Sequence, residues 1–174
     1  MLYRMIKVAA SLFGKICKIR YHIRAMVDDA NKKLILMVDD EKDFHDIFGT
    51  ILEAAGFRVE HAKNSKEAIE KAGRFMPDLI LMDVNLAEEK RGVDVAEEIM
   101  DNPKTANLKI AFLSNIDDPF PAVAGANDDV AKELGTVGFL AKTDDLHTVV
   151  SRIKEMLNEG SSAANSTSSS TANS

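Results

Sequence analysis

The chain has 174 residues, of which 45% are apolar and 29% charged, with one cysteine and a formal net charge of −6. That length suits one domain plus tails, with a core large enough to need no disulfide or metal. A lone cysteine, Cys17, excludes an intramolecular disulfide and fits a reducing, cytoplasmic setting, and the acidic balance argues against direct nucleic-acid binding.

The charge is unevenly spread. Residues 1–26 carry six Lys or Arg and no acid, so the remaining 16 basic and 28 acidic residues leave a formal −12 on residues 27–174. Within a leader of residues 1–32, Leu2, Met5, Ile6, Ala9, Phe13, Ile16, Ile19, Ile23 and Met26 recur at helical spacing. A basic amphipathic helix of this kind suits weak contact with an anionic membrane surface, or docking on the acidic body of the same chain or of a second copy in a homodimer. A plain extension without a role explains it as well. No apolar run reaches the roughly 18 residues needed to span a bilayer.

The body is read over residues 33–159. Leu34-Ile35-Leu36-Met37-Val38 is a short continuous apolar run, as a strand buried on both faces should be. Phe44, Ile47, Phe48, Ile51, Leu52 and Ala55 then fall on one helical face, and Gly56 stops that helix. Phe57-Arg58-Val59-Glu60 alternates and reads as an edge strand. A second helix carries Ala68, Ile69, Ala72 and Phe75 and ends before Pro77. A buried strand, Leu79 to Met82, comes next. A third helix carries Val93, Ala96, Ile99 and Met100 and closes at Asn102-Pro103. Ile110 to Leu113 is the fourth strand. Val130, Ala131 and Leu134 suggest a fourth helix, ended by Gly135. Val137 to Leu140 is the fifth strand, and Leu146, Val149, Val150, Ile153 and Leu157 make a fifth helix. Residues 160–174 are Ser, Thr, Asn and Ala after one glycine, a composition expected to stay disordered. Alternating strands and helices imply an α/β fold, a parallel sheet covered on both faces.

In such sheets ligands bind beyond the carboxyl ends of the strands, where the strand order reverses. Asp39, Asp40 and Glu41 follow the first strand, Asp83 the third, Ser114 and Asn115 the fourth, and Lys142 the fifth. With strand order 2-1-3-4-5, the first and third strands flank the reversal, so Asp39, Asp40 and Asp83 converge. Clustered carboxylates repel one another, and a hard divalent cation such as Mg²⁺ relieves this. A lysine and a serine facing the same point would complete a clamp for a phosphoryl group, with a carboxylate as nucleophile. Taken singly, each residue has an ordinary reading: Asp39 or Asp40 as a helix cap, Asp83 as a loop residue, Ser114 as a turn, Lys142 as a solvated charge. Their joint placement is the signal. The four histidines, His22, His45, His61 and His147, lack ligand spacing and read as surface or packing residues.

Over roughly residues 33–158 the chain resembles the response-regulator receiver family. The segments LILMVDDE, PDLILMD, IAFLS and GFLAK carry the likeness. The resemblance implies a three-layer, doubly wound, five-stranded parallel sheet of the flavodoxin-like order 2-1-3-4-5. It implies Asp83 as phosphoacceptor, Asp40 as direct ligand of Mg²⁺ or Mn²⁺, Asp39 as an acid acting through metal-bound water, and Asn85 as a ligand through its backbone carbonyl. Ser114 would bond the phosphoryl group, Lys142 would pair with a phosphoryl oxygen, and Phe139 would be the aromatic that turns when Ser114 moves. The implied donor is a histidine kinase or phosphotransfer protein. The implied output is binding of a downstream protein through the fourth helix, fifth strand and fifth helix. On this reading the chain is a stand-alone switch that assists its own phosphorylation but does not turn over an external substrate.

The sequence departs from the family in places. Asn115 stands where Ala or Gly is usual, and Thr143 where Pro is usual. Gly92 comes one residue late after a loop reading VNLAEEKRG, and residues 116–129 are longer than usual. Asn115 motivates an alternative, a receiver-like adaptor that signals without phosphate. Two enzyme classes on related folds fit less well: the two acids after the first strand are adjacent rather than spaced Asp-x-Asp, and no glycine-rich first turn exists for a dinucleotide.

Overall fold

The computed structural model describes residues 31–86, 90–115 and 135–158. The predicted leader helix, fourth helix and tail lie outside those residues. The described elements are β1 (Leu34–Val38), α1 (Lys42–Ala54), β2 (Arg58–Ala62), α2 (Ser65–Phe75), β3 (Leu79–Asp83), α3 (Gly92–Asp101), β4 (Ile110–Ser114), β5 (Gly138–Ala141) and α4 (Leu146–Asn158). All strands are parallel in the order β2-β1-β3-β4-β5, so the chain reverses direction across the sheet between β1 and β3.

Every residue of β1 and β3 is buried, which is why both are unbroken apolar runs. Alternate side chains feed two separate layers. Leu36, Val38, Ile80, Met82, Ile110 and Phe112 pack with Ala68 and Ala72 of α2 and Val95 and Ile99 of α3. Ile35, Met37, Leu79, Leu81, Ala111 and Leu113 pack with Phe48 and Leu52 of α1 and Val149 and Ile153 of α4. Each fully buried aliphatic side chain contributes roughly 1.5–3 kcal/mol.

Local signals set the element ends. Asn64 caps α2, its side chain accepting the Glu67 N–H at 2.8 Å, and Met76 ends that helix with a left-handed φ of 48° before Pro77. Three expectations need correction. The buried stripe of α1 is His45, Phe48, Gly49 and Leu52, and Ile47 is 64% exposed. The stripe is turned because His45 and Gly49 face β2, where His61 stands between them. Leu146, at the first position of α4, is also exposed, and Met156 is buried in that helix instead. Finally, β2 does not alternate: Arg58 to His61 are each half-buried, because α1 and α2 cover opposite faces of an edge strand.

Candidate functional site

The carboxyl ends of β1, β3 and β5 bring Asp39, Asp83 and Lys142 together, and Asp40 stands beside them on the solvent side. Asp39 and Asp83 are buried and Asp40 is exposed. Oxygens of the three carboxylates lie within 4.8 Å of one another. Neither Asp39 nor Asp40 caps α1, whose N-cap is Glu41, without a side-chain cap bond. Asp39 Oδ1 instead accepts the Glu41 N–H at 2.8 Å, a local turn that folds the acidic loop over the sheet edge. Asp83 Oδ1 accepts the Asn85 N–H at 3.1 Å in the same way.

Lys142 sits between the two buried acids. Its Nζ donates to Asp83 Oδ2 at 2.8 Å and lies equally 2.8 Å from Asp39 Oδ2. The second approach is an ion pair out of hydrogen-bonding alignment, so Asp39 Oδ2 is buried without a hydrogen bond. One ammonium thus lies between two buried carboxylates, with the exposed Asp40 carboxylate beside them. Burial pushes the Asp83 carboxyl up, the Lys142 bond and charge pull it down, and Asp39 pushes it up again; the balance lies at about 6. Burial alone would lower the Lys142 ammonium, but its close approach to the Asp39 and Asp83 carboxylates outweighs that and holds it above the ordinary lysine value.

The oxygen-only donor set, the excess negative charge and the unbonded Asp39 oxygen fit a hard divalent cation such as Mg²⁺. Asp39, Asp40 and Asp83 are the residues that would hold it. The Asn85 backbone is at the site through its N–H.

Ser114 ends β4 beside the site, its hydroxyl donating to the Asn115 carbonyl at 3.0 Å, while its own carbonyl accepts the Lys142 N–H at 2.9 Å. Phe139 is buried, with its ring 5.2 Å from that of Phe112. All peptide bonds among the described residues are trans, including Lys142–Thr143, as the missing proline suggests.

Two contributors were not legible as site residues. Phe44 of α1 lies under Lys142, with Nζ 4.8 Å from its ring centroid, and stacks on Phe48. Gly92 is the second. A Cβ there would stand 1.8 Å from the Asp83 carbonyl oxygen, so only glycine lets α3 begin against the end of β3. Its N–H donates to the Val84 carbonyl at 3.0 Å.

Comparison with known proteins agrees with this fold. A family model described as the response regulator receiver domain matches residues 35–154. The alkaline phosphatase synthesis transcriptional regulatory protein PhoP of Bacillus subtilis is 32% identical over 134 residues, covering 77% of this chain and 52% of that protein. The transcriptional regulatory protein CpxR homolog of Haemophilus influenzae is 30% identical, covering 77% of this chain and 54% of that protein. The chain therefore spans about half the length of these curated relatives. Among solved structures, the N-terminal domain of a response regulator/sensory box/GGDEF protein from Carboxydothermus hydrogenoformans superposes with a TM-score of 0.61 at 28% identity, covering 74% of this chain and 97% of that one. No helix among the described residues is long and apolar enough to cross a membrane.

Proposed function

This chain belongs to the response regulator receiver domain family of two-component signalling, and from that premise we propose that it accepts a phosphoryl group on Asp83, with Mg²⁺, and thereby switches the binding of a partner protein. Receiver domains are phosphoacceptors rather than turnover enzymes, bind Mg²⁺ at an acidic pocket, and interact with histidine kinases or phosphotransfer proteins. The observation that carries the proposal is the single Lys142 ammonium shared between buried Asp39 and Asp83, with a third carboxylate at hand.

An Asp83 carboxylate oxygen attacks phosphorus in the donor phosphohistidine. A P–O bond forms, the P–N bond breaks, and the imidazole leaves with the electron pair and takes its proton from solvent. Burial strips water from Asp83 and raises its basicity, yet above about pH 6 it remains mostly ionised, as a nucleophile must. Asp39, Asp40 and Asp83 would hold a divalent metal ion, whose charge would offset that gathering on the phosphoryl oxygens. Lys142 releases Asp83 Oδ2 and pairs with a phosphoryl oxygen. The Ser114 hydroxyl turns from the Asn115 carbonyl toward the same group, and Phe139 moves into the space this leaves. Asn115 narrows the mouth and slows exchange of the phosphoryl group.

The test is intact-mass spectrometry after incubation with acetyl phosphate and Mg²⁺. A gain of one phosphate, absent for Asp83→Ala and in EDTA, is the expected result. No gain under forcing conditions would reject the proposal in favour of a phosphate-independent adaptor.

A further inference from the structure

Asp39 is held at four points. Its N–H donates to the Ala62 carbonyl at 3.0 Å, its Oδ1 accepts from Glu41, and its Oδ2 faces Lys142. The fourth point is its own carbonyl, which meets Nε2 of His45 at 2.5 Å. A carbonyl only accepts, so His45 carries its proton on Nε2. Its Nδ1 lies 2.7 Å from Nδ1 of His61, and the two share one proton between them. The two rings are thus joined through their Nδ1 atoms, and contacts run from His61 through His45 to the Asp39 carbonyl.

The neighbourhood is shaped for this pair. Gly49 interrupts the interior of α1, where glycine is unfavourable. A Cβ at that position would stand 2.8 Å from His61 Cε1 and 3.0 Å from its Nε2. The missing side chain is what lets the His61 ring cross the helix and meet His45 edge-on, with centroids 4.7 Å apart at 78°. Lys71 holds the strand side of the arrangement, donating to the His61 carbonyl at 2.5 Å. His45 itself is buried, so its ring has no solvent alternative to these two partners.

We propose that His45, aligned by His61, is a positioning residue for the metal-holding carboxylates. Its bond to the Asp39 carbonyl fixes the backbone at the end of β1 and with it the direction in which Asp39 and Asp40 present their oxygens. This rests on the site reading given under Proposed function. Partners that orient ligands in this way typically change metal affinity 10–100-fold when removed.

The experiment is calorimetric titration of the full chain with Mn²⁺, for wild type, His45→Leu and His45→Gln, alongside metal-free melting. Gln places an amide N–H near the position of imidazole Nε2, whereas Leu has no donor. His45→Leu is expected to bind Mn²⁺ about tenfold or more weakly, and His45→Gln to recover most of that loss. Equal affinity in wild type and His45→Leu overturns the proposal, as does an equal loss in both variants. Wild type that binds no Mn²⁺ removes the metal site and the proposal together, which separates the two failures. Should His45→Leu not fold, long-range ¹H–¹⁵N NMR of wild type at pH 8 decides. A proton on His45 Nε2 supports the arrangement, and an unprotonated His45 Nε2 overturns it.

Discussion

The two ends of the sheet use the same residue types to opposite effect. At the amino end, Asp78 precedes β3 and receives Lys33 Nζ on Oδ1 at 2.7 Å and the Leu34 N–H on Oδ2 at 2.8 Å. Burial there acts to raise its carboxyl, but the Lys33 and Leu34 bonds win and hold it below the ordinary value. At the carboxyl end of the same strand, Asp83 shares one lysine with Asp39, and burial wins, placing it at about 6. A carboxylate with a lysine of its own becomes a structural tie. One that must share its lysine in a buried site keeps unspent demand for positive charge, and that demand is what a metal ion and a phosphoryl group can answer.

The largest expected effect that tests this contrast is the loss of each lysine. Lys142→Met, in EDTA at pH 8, is expected to lower unfolding stability by about 3–5 kcal/mol, because it strands two buried carboxylates. Lys33→Met at the exposed tie should cost under about 1 kcal/mol. Added Mg²⁺ should stabilise Lys142→Met more than wild type, since the metal replaces the missing cation. Urea unfolding of the three proteins measures this, and similar losses for both lysines would erase the distinction.

The next effect is in pH. Between 3.8 and about 6 the folded Asp83 holds a proton that the unfolded one has lost, so this group makes the metal-free fold more stable as pH falls from 7 to 4. The difference in unfolding free energy between wild type and Asp83→Asn should change by roughly 2 kcal/mol over that range. Asp78, held low, works in the other direction, losing its contribution as pH falls. Asp78→Asn should therefore shift the pH curve with the opposite sign, and a shared sign would break the comparison.

The smallest effect concerns Phe44. Phe44→Leu keeps an apolar side chain but removes the ring beneath Lys142 and the stack on Phe48. A loss of about 1 kcal/mol is expected. A double-mutant cycle with Lys142→Met should return a coupling of at least about 0.5 kcal/mol, and strict additivity would show that the ring does not act on the ammonium.

Much of this was readable from the chain alone. Unbroken apolar runs identified β1, β3 and β4 as strands buried on both faces, and acids, a serine and a lysine immediately after such runs marked one end of the sheet. That inference works because strand ends are local: the apolar pattern stops where the site begins. The stripe of α1 was harder, because His45 and Gly49 do not look like core residues until His61 is seen against them.

The sequence by itself therefore determined the layer architecture, the order of elements and the candidacy of Asp39, Asp40, Asp83, Ser114 and Lys142. Those follow from periodicity and from what stands at each strand end, both properties of neighbours along the chain. Only the tertiary structure decided that one lysine bridges two buried acids, that Gly92 lies against the Asp83 carbonyl, that Phe44 underlies Lys142, and that His61 reaches Asp39 through His45. Each of these joins residues on different elements, and the direction of a side chain across a packed interface depends on register and burial, which no local pattern encodes.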